Sequence, residues 1–167
     1  EPVLLELIKS AALQRLKDVT VGIYFRNLFG ASDYSRFEHS LGVMCLLKKY
    51  GAPLAEQIAG LIHDVSHTAF SHTVDYIYGT GHLQNHQDNQ HESMVMNSDI
   101  PAILKKYGFQ LDYILDEKNF PLLETKLPDL CADRIDYSWR WMMYQPRLTG
   151  TKPDDARNFL KSLKTYF

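Results

Sequence analysis

His63 and Asp64 stand side by side in a stretch that also holds His67 and His72. An imidazole nitrogen and a carboxylate oxygen are ordinary partner ligands for a divalent first-row metal. His63 and His67 are four residues apart, which predicts that both project from one face of a helix, with Ala59 and Ala55 on the same line leaving space before the rings. One dipeptide does not complete a coordination sphere. His39 offers a third ligand, on the line His39, Val43, Leu46, Tyr50 of its own predicted helix. Asp133 offers a fourth and heads a polar line of Asp133, Asp136, Tyr137 and Arg140. That line runs among Leu130, Cys131, Ile135, Trp139, Met142 and Met143, and so many apolar neighbours make it costly unless it is bonded or lines a wet pocket.

Each residue also has an ordinary reading. A lone helical histidine is usually a surface or hydrogen-bonded residue. Asp133 and Arg134 could belong to a surface ion-pair network, and Tyr137 could be a core ring with a bonded hydroxyl. What separates the readings is whether the elements bring these side chains together.

Those elements are predicted to be helical. Apolar residues recur at Leu54, Ile58, Leu61, Ile62 and Val65, and again at Phe37, Leu41, Met44 and Leu47 until Gly51. Helices are also expected over 3–17, 70–78, 92–96, 100–107, 122–144 and 154–166, with Pro128 weakening the start of the long one. Val19 to Phe25 suits a short extended segment. Gly79 to Gln90 is polar and reads as a long surface loop, a candidate lid over a pocket. The expected fold is all-α, a helical bundle in one domain over 1–167.

Bulk properties narrow the function. A chain of 167 residues with 23% charged residues and a net charge of −2 has the composition of an ordinary globular domain. The near-neutral charge argues against a nucleic-acid or membrane-surface binder. No apolar run is long enough to cross a bilayer. Cys45 and Cys131 are far apart in apolar stretches and read as buried thiols of a reducing, cytoplasmic compartment. The chain opens on Glu1-Pro2 and stops at Phe167 within a helical pattern, which reads as a domain excised from a longer protein.

The order of the motifs adds a resemblance. Arg36-Phe37-Glu38-His39-Ser40-Leu41-Gly42-Val43, then His63-Asp64 with His67, then Phe70-Ser71-His72, His91-Glu92 and Asp133-Arg134-Ile135-Asp136-Tyr137 resemble the HD-domain superfamily of metal-dependent phosphohydrolases. The branch most resembled is the deoxynucleoside triphosphate triphosphohydrolases, including the domain that in animals follows a sterile alpha motif, and the likeness runs from about Leu13 to Arg140. The resemblance implies an HD-domain bundle with a divalent metal (manganese, iron, zinc, nickel or magnesium) held by His39, His63, Asp64 and Asp133. It implies a catalytic and phosphate-handling cluster of His67, His72, Asp75, His91 and Glu92. Arg36, Arg134, Tyr137 and Arg140 would line the polyphosphate side.

Two positions depart from that branch. After Gln14-Arg15-Leu16-Lys17 the triphosphohydrolases continue toward a Gln-Leu-Gly that helps recognise sugar and base, whereas this chain has Thr20-Val21-Gly22, and a valine offers no hydrogen bond. Trp141 follows Arg140 where the branch has an aspartate. The implied function is hydrolysis of a phosphoester or phosphoanhydride in a small phosphorylated substrate, a deoxynucleoside triphosphate being favoured. A phosphatase or phosphodiesterase for nucleoside monophosphates, cyclic nucleotides or another small phosphate is the alternative. A regulatory HD domain that keeps the metal without turnover is a third reading, opposed by the His67, His72, Asp75, His91 and Glu92 cluster. A homo-oligomer stays open.

Overall fold

The first predicted helix forms in pieces. In the computed structural model, which describes residues 1–21, 33–69 and 86–164, helix α1 (Pro2–Lys9) ends at Ser10, whose backbone is extended. The Ser10 hydroxyl then accepts from Leu13 N–H at 3.3 Å and caps α2 (Ala11–Arg15), which passes into a 3-10 turn, Leu16–Asp18. Amphipathic spacing alone does not reveal such a break, because Ser10 keeps the apolar positions in phase on either side.

Helix α3 (Arg36–Lys49) is the centre of the bundle. A capping box sets its start: Ser35 Oγ accepts from Glu38 N–H, and the Glu38 carboxylate accepts from Ser35 N–H. Its apolar face, with Val43 and Leu47 buried, packs against α4 (Leu54–Ile62). Gly60 permits the close approach, since a Cβ there would lie 2.4 Å from Leu47 Cδ1. Helices α5 (His86–Met96), α6 (Ile100–Lys106) and α7 (Leu111–Leu115) follow, and α6 packs against α1. The long helix expected from residue 122 starts later, as α8 (Ala132–Tyr144), which packs on α3. Short α9 (Pro146–Thr149) and α10 (Pro153–Ser162) complete the described chain. The fold is all-α: among the described residues there is no strand, only an isolated bridge of Thr20 with Ser35.

Three expectations are corrected here. The expected loop of 79–90 ends early, because His86 to Gln90 already belong to α5; 79–85 lie outside the described residues. The 122–144 helix loses its first part to a turn region held by a buried carboxylate, Glu56 of α4, which accepts from the N–H groups of Leu122 (2.7 Å) and Leu123 (3.0 Å). Cys131 is buried as expected, whereas Cys45 is exposed on α3. The predicted helix over 70–78 and residues 22–25 of the extended segment lie outside the described residues.

Candidate metal centre

Helix α4 stops at Ile62, and the chain makes a turn through residues 63–66. His63 and His67 therefore do not share the helix face that their spacing predicts. The turn is fixed by an arginine from α2: Arg15 donates to the carbonyl of His67 at 3.0 Å and of Val65 at 2.6 Å, occupying acceptors that a longer helix would have used internally. Both imidazoles still reach Asp64, His67 Nε2 at 3.2 Å and His63 Nε2 at 3.5 Å from Oδ1. His63 Nδ1 donates to the carbonyl of Gly60 at 2.8 Å, which turns Nε2 away from its own helix. That Nε2 is buried and has no hydrogen-bond partner.

Helix α3 supplies His39, which is 1% exposed, and Arg36, whose guanidinium donates to Asp64 Oδ2 at 2.9 Å. The His39 and His63 ring centroids are 5.2 Å apart, edge to face. From the first turn of α8, Asp133 Oδ1 comes within 2.8 Å of His39 Nε2 and 3.5 Å of His63 Nε2. On the other side of its ring His39 donates from Nδ1 to Asp136 Oδ2 at 2.8 Å, and the same oxygen accepts from Arg140 Nε at 2.6 Å.

The electrostatics of this cluster suit a cation. Burial opposes protonation of His39, but its bonds to Asp133 and Asp136 outweigh burial and hold it above the ordinary histidine value. Burial is likewise outweighed at His63, where Asp64 and Asp133 push the ring up to about 9. Burial would raise the two carboxylates; Arg36, His63 and His67 keep Asp64 well below the carboxylate range, and His39 and His63 do the same for Asp133. The group thus draws positive charge to its centre. Among the described residues, ligand atoms of His39, His63 and Asp64 all lie within 4.8 Å of one another. Two imidazoles, a carboxylate and the adjoining Asp133, with one imidazole nitrogen left without a hydrogen-bond partner, fit a divalent ion.

His67 is 4% exposed, and burial, then Arg36 and His63, lower its affinity for a proton against the pull of Asp64. His91, on α5, has a buried Nδ1 without a hydrogen-bond partner; burial and then the charge of His63 push the ring down to about 4, so it is neutral at neutral pH. Glu92, beside it, is exposed. His72 and Asp75 lie outside the described residues. Tyr137 is 42% exposed. Arg140 is engaged by Asp136, and Arg134 turns toward Glu124 and the carbonyls of Thr125 and Asp129. The sequence carries little signal for the roles of Arg15 and Glu56: a charged residue packed among apolar neighbours, as with Glu56 in a mostly apolar helix.

The arrangement has relatives. The HD domain family profile matches residues 36–138, which contains the four clustered residues from His39 to Asp133. The protein YdhJ of Bacillus subtilis is 46% identical over 169 residues, covering 96% of this chain and 49% of that protein. The metal-dependent phosphohydrolase cns2 of Cordyceps militaris is 34% identical, covering 99% of this chain and 47% of its own length. The deoxynucleoside triphosphate triphosphohydrolase SAMHD1 of Gallus gallus is 30% identical over 74% of this chain and 24% of that protein. A crystal structure of a phosphohydrolase from Bacteroides thetaiotaomicron superposes with a TM-score of 0.54 at 21% identity, covering 97% of this chain and 42% of that one, a likeness of fold. The chain spans about half the length of YdhJ and cns2. Its motif order, its helical fold and the residues gathered between α3, the turn after α4 and α8 agree with the profile: the chain belongs to the HD domain family.

Proposed function

We propose that the chain is the metal-binding hydrolytic domain of a phosphohydrolase, acting on a phosphoester or phosphoanhydride of a nucleotide, with a deoxynucleoside triphosphate as the favoured substrate and inorganic triphosphate as product. The observation that carries the reading is the convergence of His39, His63 and Asp64, with Asp133 against both rings. The names of relatives support it at two levels: cns2 for metal-dependent phosphohydrolysis, SAMHD1, at lower coverage, for the deoxynucleotide.

In this reading His39, His63, Asp64 and Asp133 hold a divalent ion, which when bound would orient water and offset charge on the phosphate oxygens. Asp64 also fixes His67, whose Nε2 it meets at 3.2 Å. His91 keeps a buried Nδ1 without a hydrogen-bond partner, and burial favours its neutral ring. His67, His91 and Glu92, with His72 and Asp75, form the set proposed for proton transfer and phosphate handling. Arg36, on the edge of the ligand cluster, and Tyr137, half exposed beside Asp133, are the described side chains proposed to meet the phosphates. The compartment proposed is the cytosol; among the described residues no helix is long and apolar enough to cross a membrane.

One observation favours a smaller substrate. Arg134 spends its guanidinium donors on Glu124 and backbone carbonyls, and Arg140 is paired through Nε with Asp136, so less positive charge is left to grip a polyphosphate. A nucleoside monophosphate or cyclic nucleotide would need less. A panel of deoxynucleoside triphosphates, ribonucleoside triphosphates, nucleoside monophosphates and cyclic nucleotides, assayed for triphosphate and for phosphate with added manganese, separates the readings. Triphosphate from deoxynucleotides alone is expected; phosphate from monophosphates alone would replace the favoured version, and no turnover of any phosphate would remove the enzymatic reading.

A further inference from the structure

We infer that Asp136 is a positioning residue for the metal ligand His39, with Arg140 holding Asp136 in turn. The inference rests on the reading of His39, His63, Asp64 and Asp133 as the metal ligands.

A histidine binds a metal through one ring nitrogen, and what the other nitrogen bonds to decides which tautomer and ring angle are available. His39 presents Nε2 to Asp133 at 2.8 Å and to Asp64 at 3.7 Å, so Nε2 is the nitrogen on the side of the ligand cluster. Its Nδ1 faces Asp136 Oδ2 at 2.8 Å. A carboxylate can only accept there, so Nδ1 carries the hydrogen and Nε2 is left with its lone pair toward the cluster once its own proton is displaced. Asp136 is 4% exposed and His39 1%, so water does not compete for this bond.

The carboxylate is itself held. Arg140, one turn along α8, donates Nε to Asp136 Oδ2 at 2.6 Å, and its guanidinium carbon lies 5.7 Å from the centroid of the Tyr34 ring. Opposite, on α3, is Gly42: a Cβ there would sit 1.9 Å from Asp136 Oδ1 and 2.4 Å from Arg140 Nη2. Only a residue without a side chain lets the carboxylate lie against α3 in reach of His39, three residues earlier on the same helix. Gly42, Asp136 and Arg140 therefore form one device whose output is the orientation of a single imidazole. Arg140 in this role serves the metal rather than the phosphate.

Manganese titration by calorimetry of the intact 167-residue chain tests this, together with the visible absorption spectrum of the cobalt-loaded protein, which reports ligand geometry. Asp136→Asn is expected to weaken manganese binding by roughly 10- to 100-fold and to alter the cobalt spectrum. Arg140→Gln is expected to weaken it in the same direction by less, and serves if Asp136→Asn does not fold. Leu7→Ala, a core truncation in α1, supplies a loss of stability without contact to this device and should leave manganese affinity unchanged. His39→Ala should abolish binding. Wild-type affinity and spectrum in Asp136→Asn and Arg140→Gln would overturn the inference, as would an equal loss in Leu7→Ala. No binding to the wild-type chain, or undiminished binding to His39→Ala, would instead overturn the ligand assignment beneath it.

Discussion

Helix α3 has two working faces. On one, Val43 and Leu47 meet α4 across Gly60 in a dry seam. On the other, Arg36 and His39 meet Asp64, Asp133 and Asp136, with Asp136 lying in the space left by Gly42. Both faces are buried, both use a glycine for close approach, and they hold together by different physics. The apolar seam gains from removal of surface from water and tolerates small shifts. The polar face places charges in a low-dielectric setting, where a missing partner leaves another charge uncompensated. Damage to the first face should appear as lost stability alone, and damage to the second as lost metal and lost chemistry as well.

The largest effect is expected from Asp64→Ala. It removes a ligand and the carboxylate that the buried Arg36 meets at 2.9 Å, so bound metal and turnover should both fall to background while the helical circular dichroism signal survives at room temperature. Breaking a buried pair of this kind costs about 3–5 kcal/mol, read from the urea midpoint. A variant that retains metal and turnover would dissolve the contrast between the faces. Leu47→Ala, on the dry face and 1% exposed, should cost about 2–5 kcal/mol of stability with metal stoichiometry and turnover kept. Loss of metal from the folded Leu47→Ala protein would show that the faces are not separable.

A third prediction concerns pH. Because His63 is pushed up to about 9 in the metal-free chain, proton and metal compete for the same cluster. Manganese affinity should rise with pH from about 6 to 9, with protons released on binding; pH-independent affinity would contradict it. The sign for stability runs the other way. A folded-state value above the unfolded one of about 6.5 stabilises the metal-free protein fully below that value, and the contribution is lost as pH rises through about 9. The half-buried His91, pushed down to about 4, opposes this on the acid side, since its cost appears as pH falls below about 6.5. The gain in melting temperature on adding manganese should therefore grow between pH 7 and 9.

The smallest effect is expected far from both faces. Glu6 meets Lys106 at 2.6 Å in the open, and Glu6→Gln should leave the urea midpoint and metal affinity unchanged within error.

The two faces also differed in how far the sequence revealed them. Periodicity located α3 and α4 to within a residue or so of their starts, because a dry seam writes itself as a repeat of apolar side chains. Breaks set by single polar contacts were not legible: Ser10 dividing the first helix, and Glu56 capturing the N–H groups of Leu122 and Leu123, depend on partners distant along the chain. The candidate ligands were legible by type and order, but the route to their convergence was not. Spacing placed His63 and His67 on one helical face, whereas a turn held by Arg15 brings both to Asp64. Asp136 was visible as part of a polar stripe, and its link to His39 is a contact between residues 97 positions apart that no local pattern encodes.

Anomalous diffraction from crystals of the chain grown with manganese addresses the central claim most directly. The account predicts a strong peak within coordination distance of His39 Nε2, His63 Nε2 and carboxylate oxygens of Asp64 and Asp133. A fully occupied ion bound elsewhere, with these four side chains still bonded only to one another, would contradict it.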